Sequence, residues 1–254
     1  MKLVHMMRAL LFPPACAACG ELLPFDSEEV LCTVCRGKWE EEKRRICPDC
    51  GKPISECECP VSGDAGLPCV SLAFYDPRAG RGTSPVKEML LSVKEARLRE
   101  TEEFLAGQLA DRVLLHLGPM GPETVIAYVP RNPAKARVTG TDQARAIAAA
   151  LADRLGLSVC PILIRRRGRA RDQKTLDAAG REKNASSAYR LSEKEELREA
   201  CRGKRVLLFD DIITSGATVS ACAALLSEAG AEDVIAVSVA RTLREGILRT
   251  PERE

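Results

Sequence analysis

The sequence of 254 residues is poor in aromatic side chains and has only two histidines, and its net charge is small. Aromatics make up 4% of the chain, so a surface that stacks nucleic-acid bases on rings has few candidate residues. The formal net charge of +2 by itself predicts neither a nucleic-acid nor a membrane partner. Apolar residues still reach 45%, which is enough for a packed core, and we expect a globular protein.

The sequence has no apolar run long enough to cross a membrane. The short run at the N-terminus, MKLVHMMRALLFPP, ends at Pro13 and Pro14 and lacks the small-residue cleavage pattern of a signal peptide. It predicts an amphipathic helix packed on the body of the protein. We therefore expect a cytoplasmic protein with no transmembrane segment.

Cysteine is concentrated at one end of the chain. Nine of the twelve cysteines lie in the first 70 residues, and the other three, Cys160, Cys201 and Cys222, are isolated in ordinary apolar or helical contexts. This distribution predicts two modules, a cysteine-rich domain over residues 1–70 and a second domain over residues 71–254.

Eight of the early cysteines form four close pairs, which read CAAC, CTVC, CPDC and CEC. A C-x-x-C turn directs two thiolates at one ion, and two such pairs complete the tetrahedral shell that zinc prefers. The predicted ligands are Cys16, Cys19, Cys32 and Cys35 for a first zinc ion, and Cys47, Cys50, Cys57 and Cys59 for a second. The C-x-C pair has one residue fewer between its two ligands than C-x-x-C, which constrains their geometry more. Cys69 is therefore an alternative member of the second set. A disulfide framework is disfavoured, since no signal peptide directs the chain to an oxidising compartment.

After Cys69, apolar strands alternate with amphipathic helices. The predicted strands are PCVSLAFYD, TVIAYVP, VCPILIRR, KRVLLFDD and DVIAVSVART. The pattern predicts one or two helices between the first two strands, a helix from the Thr141–Asp142 cap to near Gly156, and another from about Ala217 to Ala229. Such alternation implies right-handed crossovers and an open, largely parallel α/β sheet.

The stretch RVLLFDDIITSGATVSACAALL has the composition of a ligand site. Its strand delivers Asp210 and Asp211 to the carboxyl edge of the sheet, where open α/β sheets bind ligands. The following turn presents backbone N–H groups and hydroxyls at a helix N-terminus, which favours an anion. The residues of this turn are Thr214, Ser215, Gly216, Ala217 and Thr218. Two carboxylates accept hydrogen bonds from a pair of vicinal hydroxyls, so the whole stretch predicts a ribose 5-phosphate ligand.

The segment VLLFDDIITSGAT resembles the phosphoribosyl pyrophosphate motif of the type I phosphoribosyltransferases. With the cysteine pairs, AFYDPRAG, VPRNPAKARVTGTDQA, DQKTLDAAGREKNASSAY and VSVART, nearly the whole chain is similar to the ComF family of competence-associated phosphoribosyltransferase-like proteins. The resemblance implies a type I phosphoribosyltransferase fold preceded by a double zinc ribbon. One departure is visible where ComF proteins usually carry R-x-R-G-F-N-Q. Residues 137–143 read RVTGTDQ and lack an arginine, the aromatic and the amide.

The resemblance also implies residue roles. Asp210 and Asp211 would accept from the ribose hydroxyls, residues 214–218 would hold the 5-phosphate, and Pro130 and Arg131 would lie at the pyrophosphate. Family chemistry uses Mg²⁺ to bridge pyrophosphate and ribose oxygens while a nitrogen nucleophile attacks C1 of the sugar. Catalysis would then depend on Asp210, Asp211 and Arg131. A loop that closes over such a site would carry Gln173, Lys174, Arg181 and Asn184; the alternative is a solvated basic loop.

Positive charge is concentrated between residues 131 and 174, where eleven Lys and Arg face three Asp. This local excess suits pyrophosphate and equally the backbone of single-stranded DNA. The ComF family is associated with DNA uptake in natural transformation, so DNA-uptake proteins are expected partners. Three hypotheses remain open: a phosphoribosyltransferase with an unidentified nitrogen acceptor, a DNA-handling factor that keeps the sugar-phosphate pocket for binding, and a non-catalytic ligand sensor.

Overall fold

The structure of the chain is a computed structural model. It describes residues 13–60, 66–80, 82–96, 99–131, 142–166 and 187–242, with the side chains of residues 94–96 left aside. The N-terminal helix predicted for the first residues lies outside these ranges. In the described part of the chain, no helix has the length and apolarity needed to cross a membrane.

Between residues 13 and 60, the cysteine-rich region contains two tight knuckles and one helix. Helix α1 spans Thr33–Arg44, and a short 3-10 turn spans Ile54–Glu56. Each knuckle is closed by one antiparallel bridge, between Ala15 and Leu22 in the first and between Ile46 and Pro53 in the second. A region with so little regular structure gains its order from side-chain contacts and from any bound metal.

A parallel sheet of five strands follows in the described part of the chain. Its strands are β1 Cys69–Tyr75, β2 Thr124–Tyr128, β3 Ser158–Val159, β6 Arg205–Ile213 and β7 Asp233–Thr242. Their order in the sheet is β1-β7-β6-β2-β3. A separate antiparallel pair contains β4 Leu163–Arg165 and β5 Tyr189–Leu191. Because β6 is central and its neighbours are parallel, the carboxyl ends of β2, β6 and β7 meet at one edge of the sheet.

Helices cover both faces of the sheet. They are α2 Pro85–Ala96, α3 Arg99–Leu117, α4 Gln143–Leu155, α5 Glu195–Glu199 and α6 Ala217–Glu228. Strand β6 is buried on both sides, and alternate residues enter two cores. Leu207 and Phe209 pack with α3 and α4, whereas Val206 and Leu208 pack with α6.

Most predicted elements are confirmed, and one differs. Helix α4 begins after Asp142, whose side chain accepts the N–H of Arg145, and ends at Gly156 in the left-handed region. The segment VCPILIRR was predicted as one strand, but it divides at Pro161 into β3 and β4. Proline cannot donate a ladder hydrogen bond, so the parallel ladder ends where the N–H of Cys160 donates to the carbonyl of Ile126.

Candidate functional site

The carboxyl end of β6 carries the two acidic residues of the sequence motif. Asp210 and Asp211 are partly buried, and Asp210 lies in register with Ser238 of β7. The carboxylate of Asp210 accepts the N–H of Asp211 at 3.0 Å, and that of Asp211 accepts the N–H of Ile212 at 2.8 Å. These local contacts hold both carboxylates at the rim of the sheet.

The turn after β6 leads directly into helix α6. Thr214 and Ser215 are exposed, whereas Gly216 is buried at the N-cap with φ 80°, a left-handed conformation that favours glycine. Glycine has no side chain that could cap this helix end, and among the described residues no side-chain cap hydrogen bond is present. The first N–H groups of a twelve-residue helix are therefore available to an anion, and the helix dipole favours negative charge there.

Arg131 follows β2 and lies beside the motif. Its Nη2 is 3.7 Å from Oδ2 of Asp211 and donates to Oε1 of Gln143 at 3.2 Å, while its backbone N–H donates to Asp142 at 3.1 Å. Gln143 is buried and donates in turn to the carbonyl of Leu90. The start of α4 therefore positions Arg131, a role that the sequence did not reveal for Asp142 and Gln143.

Two tyrosines lie near the carboxylates, and neither was predicted. Burial raises the pKa of Tyr75 above its ordinary value, and the negative charge of Asp211 adds to this effect. Burial also raises the pKa of Tyr189, where Asp210 contributes in the same direction and Arg165 opposes it. Both phenols remain protonated at neutral pH. Tyr75 is partly exposed and can donate a hydrogen bond beside the acidic rim, whereas Tyr189 is buried and its hydroxyl accepts from Arg165.

The β4–β5 pair contains the first of the arginines at residues 165–171, which are called the basic segment below. Arg165 donates to the hydroxyl of Tyr189 at 2.9 Å, and its guanidinium lies 5.3 Å from the centre of that ring. Arg166 is exposed and donates to the carbonyl of Tyr189. The predicted loop residues Gln173, Lys174, Arg181 and Asn184 lie outside the described residues, as do Arg167 and Arg169.

The structure assembles the eight paired cysteines into the two predicted groups of four. Within each group the sulfur atoms lie within 4.8 Å of one another. Cys19 and Cys32 are 3.8 Å apart in the first group, and Cys50 and Cys57 are 3.5 Å apart in the second. A tetrahedron with Zn–S bonds of about 2.3 Å has edges of about 3.8 Å, so both groups fit a four-thiolate zinc site.

The first knuckle of each group has the same backbone geometry. In both, the glycine N–H donates at 2.8 Å to the carbonyl of the first cysteine, from Gly20 to Cys16 and from Gly51 to Cys47. The two glycines adopt φ 76° and 70°, the left-handed turn expected after such a knuckle. The two halves of the ribbon are therefore structural repeats up to this point.

The remaining cysteines do not join these groups. Cys69, the alternative ligand, is buried at the start of β1 and lies 3.3 Å from the hydroxyl of Ser71, while Cys59 completes the second group. Cys160 and Cys201 lie in contact with each other, with 3.1 Å between their sulfur atoms. Cys222 is buried within α6.

Comparison with known families agrees with this architecture. A family model described as a phosphoribosyl transferase domain matches residues 138–249, and one described as a double zinc ribbon domain matches residues 7–69. Together with the parallel sheet and the two cysteine groups, these matches confirm the predicted fold class.

The chain is also similar to curated proteins over most of its length. The DNA utilization protein YhgH of Salmonella typhi is 28% identical over 229 residues, which cover 84% of this chain and 91% of that protein. The YhgH protein of Escherichia coli K12 is 26% identical, with the same coverage. Among solved structures, adenine phosphoribosyl transferase from Trypanosoma brucei matches at 11% identity and a TM-score of 0.38, over 87% of this chain and 85% of that chain.

Proposed function

We propose that this chain, which belongs to the ComF family by its double zinc ribbon and phosphoribosyl transferase domain, binds phosphoribosyl pyrophosphate at the β6 rim. One observation carries the proposal: a single strand–turn–helix unit presents two carboxylates at one end and an uncapped helix N-terminus at the other. The hydroxyls of a ribose 5-phosphate can donate to the two carboxylates, and its phosphate anion can bind at the helix N-terminus.

Each part of the ligand has its own partners. Asp210 and Asp211 accept hydrogen bonds from the ribose hydroxyls. The N–H groups of residues 216–218 and the exposed hydroxyls of Thr214 and Ser215 donate to the 5-phosphate. The left-handed conformation at Gly216 lets the backbone approach a phosphate oxygen closely.

Arg131 supplies positive charge on the pyrophosphate side. Its guanidinium is oriented by Gln143 and remains partly exposed, so it can meet an incoming anion. Carboxylate oxygens are hard donors of the kind Mg²⁺ takes, and the rim therefore fits a Mg²⁺ ion brought in with the pyrophosphate. When bound, the ion would neutralise charge on the departing pyrophosphate. The residues themselves need only bind and orient, and none has to act as a nucleophile.

The binding proposal is tested by titration calorimetry with phosphoribosyl pyrophosphate and Mg²⁺. The Asp210→Asn, Asp211→Asn double variant should bind at least about 100-fold more weakly, because each charge-assisted hydrogen bond contributes about 1.5–3 kcal/mol. Asp233→Asn is the control, since Asp233 lies at the opposite edge of the sheet and pairs with Arg205. Equal affinity for parent and double variant overturns the proposal.

Turnover separates an enzyme from a ligand sensor. A phosphoribosyltransferase should release pyrophosphate when given phosphoribosyl pyrophosphate with one of a panel of nitrogen bases and amines. Retained binding without release across the panel favours the sensor.

The second candidate function is DNA handling, since the relatives are named DNA utilization proteins. Its supporting observation is the exposed Arg166, which directly follows β4.

This function is tested by the fluorescence anisotropy of a labelled single strand across a salt series. The slope of log K against log salt concentration should be about −0.7 per phosphate contact. Replacing Arg166, Arg167 and Arg169 by alanine should flatten that slope, while Arg165 is kept because it contacts Tyr189. An unchanged slope, or no binding by the parent at physiological salt, excludes this use of the segment.

A further inference from the structure

The second cysteine group lies against two buried arginines of the phosphoribosyl transferase domain. Arg241 of β7 points Nη2 at the sulfur of Cys57, 2.8 Å away, and donates from Nη1 to the carbonyl of Cys59 at 2.7 Å. Arg112 of α3 donates to the carbonyl of Cys57 at 3.0 Å. We propose that Arg241 and Arg112 are the charge partners of the metal-loaded second cluster. Arg241 also links this cluster to residues 214–218, the turn between β6 and α6 that is called the phosphoribosyl loop below.

Burial makes a charge role necessary for Arg241 in particular. Both arginines are only 6% exposed, and the Nε of each has no hydrogen-bond partner among the described residues. Among the described residues, Arg241 forms no salt bridge with a carboxylate, and its guanidinium contacts Cys47, Cys57 and Cys59 instead. A buried guanidinium with no counter-charge is strongly unfavourable. Four thiolates around one Zn²⁺ carry a net charge of about −2, which Arg241 offsets in part. The charge of Arg112 is shared between this cluster and the nearby carboxylates of Glu56 and Glu58.

Aromatic packing fixes the guanidinium in place. Arg241 lies 5.6 Å from the centre of the Phe74 ring, and Phe74 is its register partner on β1. The same ring belongs to a small apolar cluster with Cys47, Ile54 and Cys57. The contact between the ribbon and the sheet is therefore specific in both charge and shape.

The next residue of β7 contacts the phosphoribosyl loop. Thr242 donates from Oγ1 to the carbonyl of Thr214 at 3.0 Å, while Arg241 contacts the cysteine group. Consecutive strand residues point to opposite faces, so one short length of β7 contacts both sites. If the cluster is lost, Arg241 loses its counter-charge and must move, and the register of Thr242 against the loop changes with it. This link rests on the proposed function, whereas the charge-partner role does not.

The charge-partner role is tested by zinc release to a chromophoric chelator from the full chain. Arg241→Gln should release one of two zinc ions about 10–100-fold faster, as is typical when a partner of a metal ligand is removed, and the other ion at the parental rate. Arg241→Lys should release zinc at an intermediate rate, because lysine keeps the positive charge but lacks the paired N–H donors of a guanidinium. Arg205→Gln on the neighbouring strand is the control. Parental release of both ions from Arg241→Gln overturns the role.

The link to the loop is tested with two equivalent cysteines. Cys19 and Cys50 are both the exposed second cysteine of a C-x-x-C-G knuckle, so Cys19→Ser and Cys50→Ser are matched. Cys50→Ser should weaken phosphoribosyl pyrophosphate binding at least tenfold, and Cys19→Ser by less than about threefold. Equal weakening overturns the link. If the parent itself does not bind, the proposed function fails, but the zinc-release experiment still decides the role of Arg241.

A third variant keeps the link testable if Cys50→Ser does not fold. Thr242→Val removes only the hydroxyl that contacts Thr214, so it should keep both zinc ions and bind phosphoribosyl pyrophosphate more weakly. Thr242→Ser restores a donor and should restore affinity. Parental affinity in Thr242→Val overturns the link.

Discussion

The two cysteine groups begin with the same knuckle, but different positive groups compensate the negative charge of their thiolates. In the first, Cys32 caps helix α1 and its sulfur accepts the N–H of Cys35 at 3.5 Å. The thiolates therefore lie at the positive end of a helix dipole. In the second, the C-x-C pair follows a three-residue 3-10 turn and offers no such helix. Positive charge comes instead from Arg112 and Arg241, far away in sequence.

The two halves also dock on the rest of the protein differently. Helix α1 docks mainly through Trp39, which is 1% exposed, packs on Phe104 of α3 and donates to Gln108 at 3.3 Å. The second half docks through the buried arginines and Phe74. One repeat thus carries its own charge compensation and uses the sheet domain for apolar burial, whereas the other depends on that domain for charge.

Removal of metal is the largest perturbation of both halves. Chelation should destabilise the protein by several kcal/mol, because structural zinc supplies much of the folding free energy of small ribbons. The effect should extend beyond the ribbon, since Trp39, Cys16 and Cys35 belong to the same core as β1, α3 and α4. Urea denaturation measures the loss, and fluorescence of Trp39, the single tryptophan, should shift to the red.

Addition of zinc should restore the urea midpoint, while Mg²⁺ should not, because thiolates bind Mg²⁺ poorly. A urea midpoint that is unchanged after metal removal contradicts the shared core.

Local patterns in the sequence were enough to predict the turn between β6 and α6 and the two cysteine groups. Both depend on residues close in the chain, whose spacing fixes their geometry: residues 210–218 form one strand–turn–helix unit. The contact between Arg241 and Cys57 spans 184 residues, and nothing near Arg241 in the apolar segment VSVART indicates a thiolate partner. The role of Gln143 in positioning Arg131 was missed because the contact joins the end of β2 to the first residue of α4, and no periodic pattern relates these two positions.

Truncation of Trp39 should have the next largest effect. Trp39→Ala should cost about 3–5 kcal/mol, the usual range for a buried aromatic, and should loosen the first half without releasing the second zinc. Val34→Ala on the same helix is the control, because Val34 is 65% exposed and its loss should change stability by less than about 0.5 kcal/mol.

Urea denaturation and zinc content measure both variants. Loss of the second zinc in Trp39→Ala contradicts the inference that the two halves dock on the sheet domain through separate contacts.

The smallest effect concerns charge at the interface of the first half. The carboxylate of Glu42 on α1 accepts the N–H of Val86 in the first turn of α2 at 3.1 Å, and burial raises the pKa of this carboxyl above its ordinary 4.5. Because the pKa of Glu42 is higher in the folded protein, its protonated form adds to the free energy of unfolding. This contribution is complete below pH 4.5 and is lost as the pH rises through the folded-state pKa. At pH 7 the charged form of Glu42 is therefore less favourable in the folded than in the unfolded protein.

Glu42→Gln, which still offers an acceptor to Val86, should stabilise the protein by less than about 1 kcal/mol. Glu42→Ala should destabilise it by about 1 kcal/mol, because that N–H is left without its side-chain acceptor. Urea denaturation at pH 7 compares the three proteins. If Glu42→Gln destabilises as much as Glu42→Ala, charge matters at this interface as it does at the second cysteine group, and the contrast between the two halves is wrong.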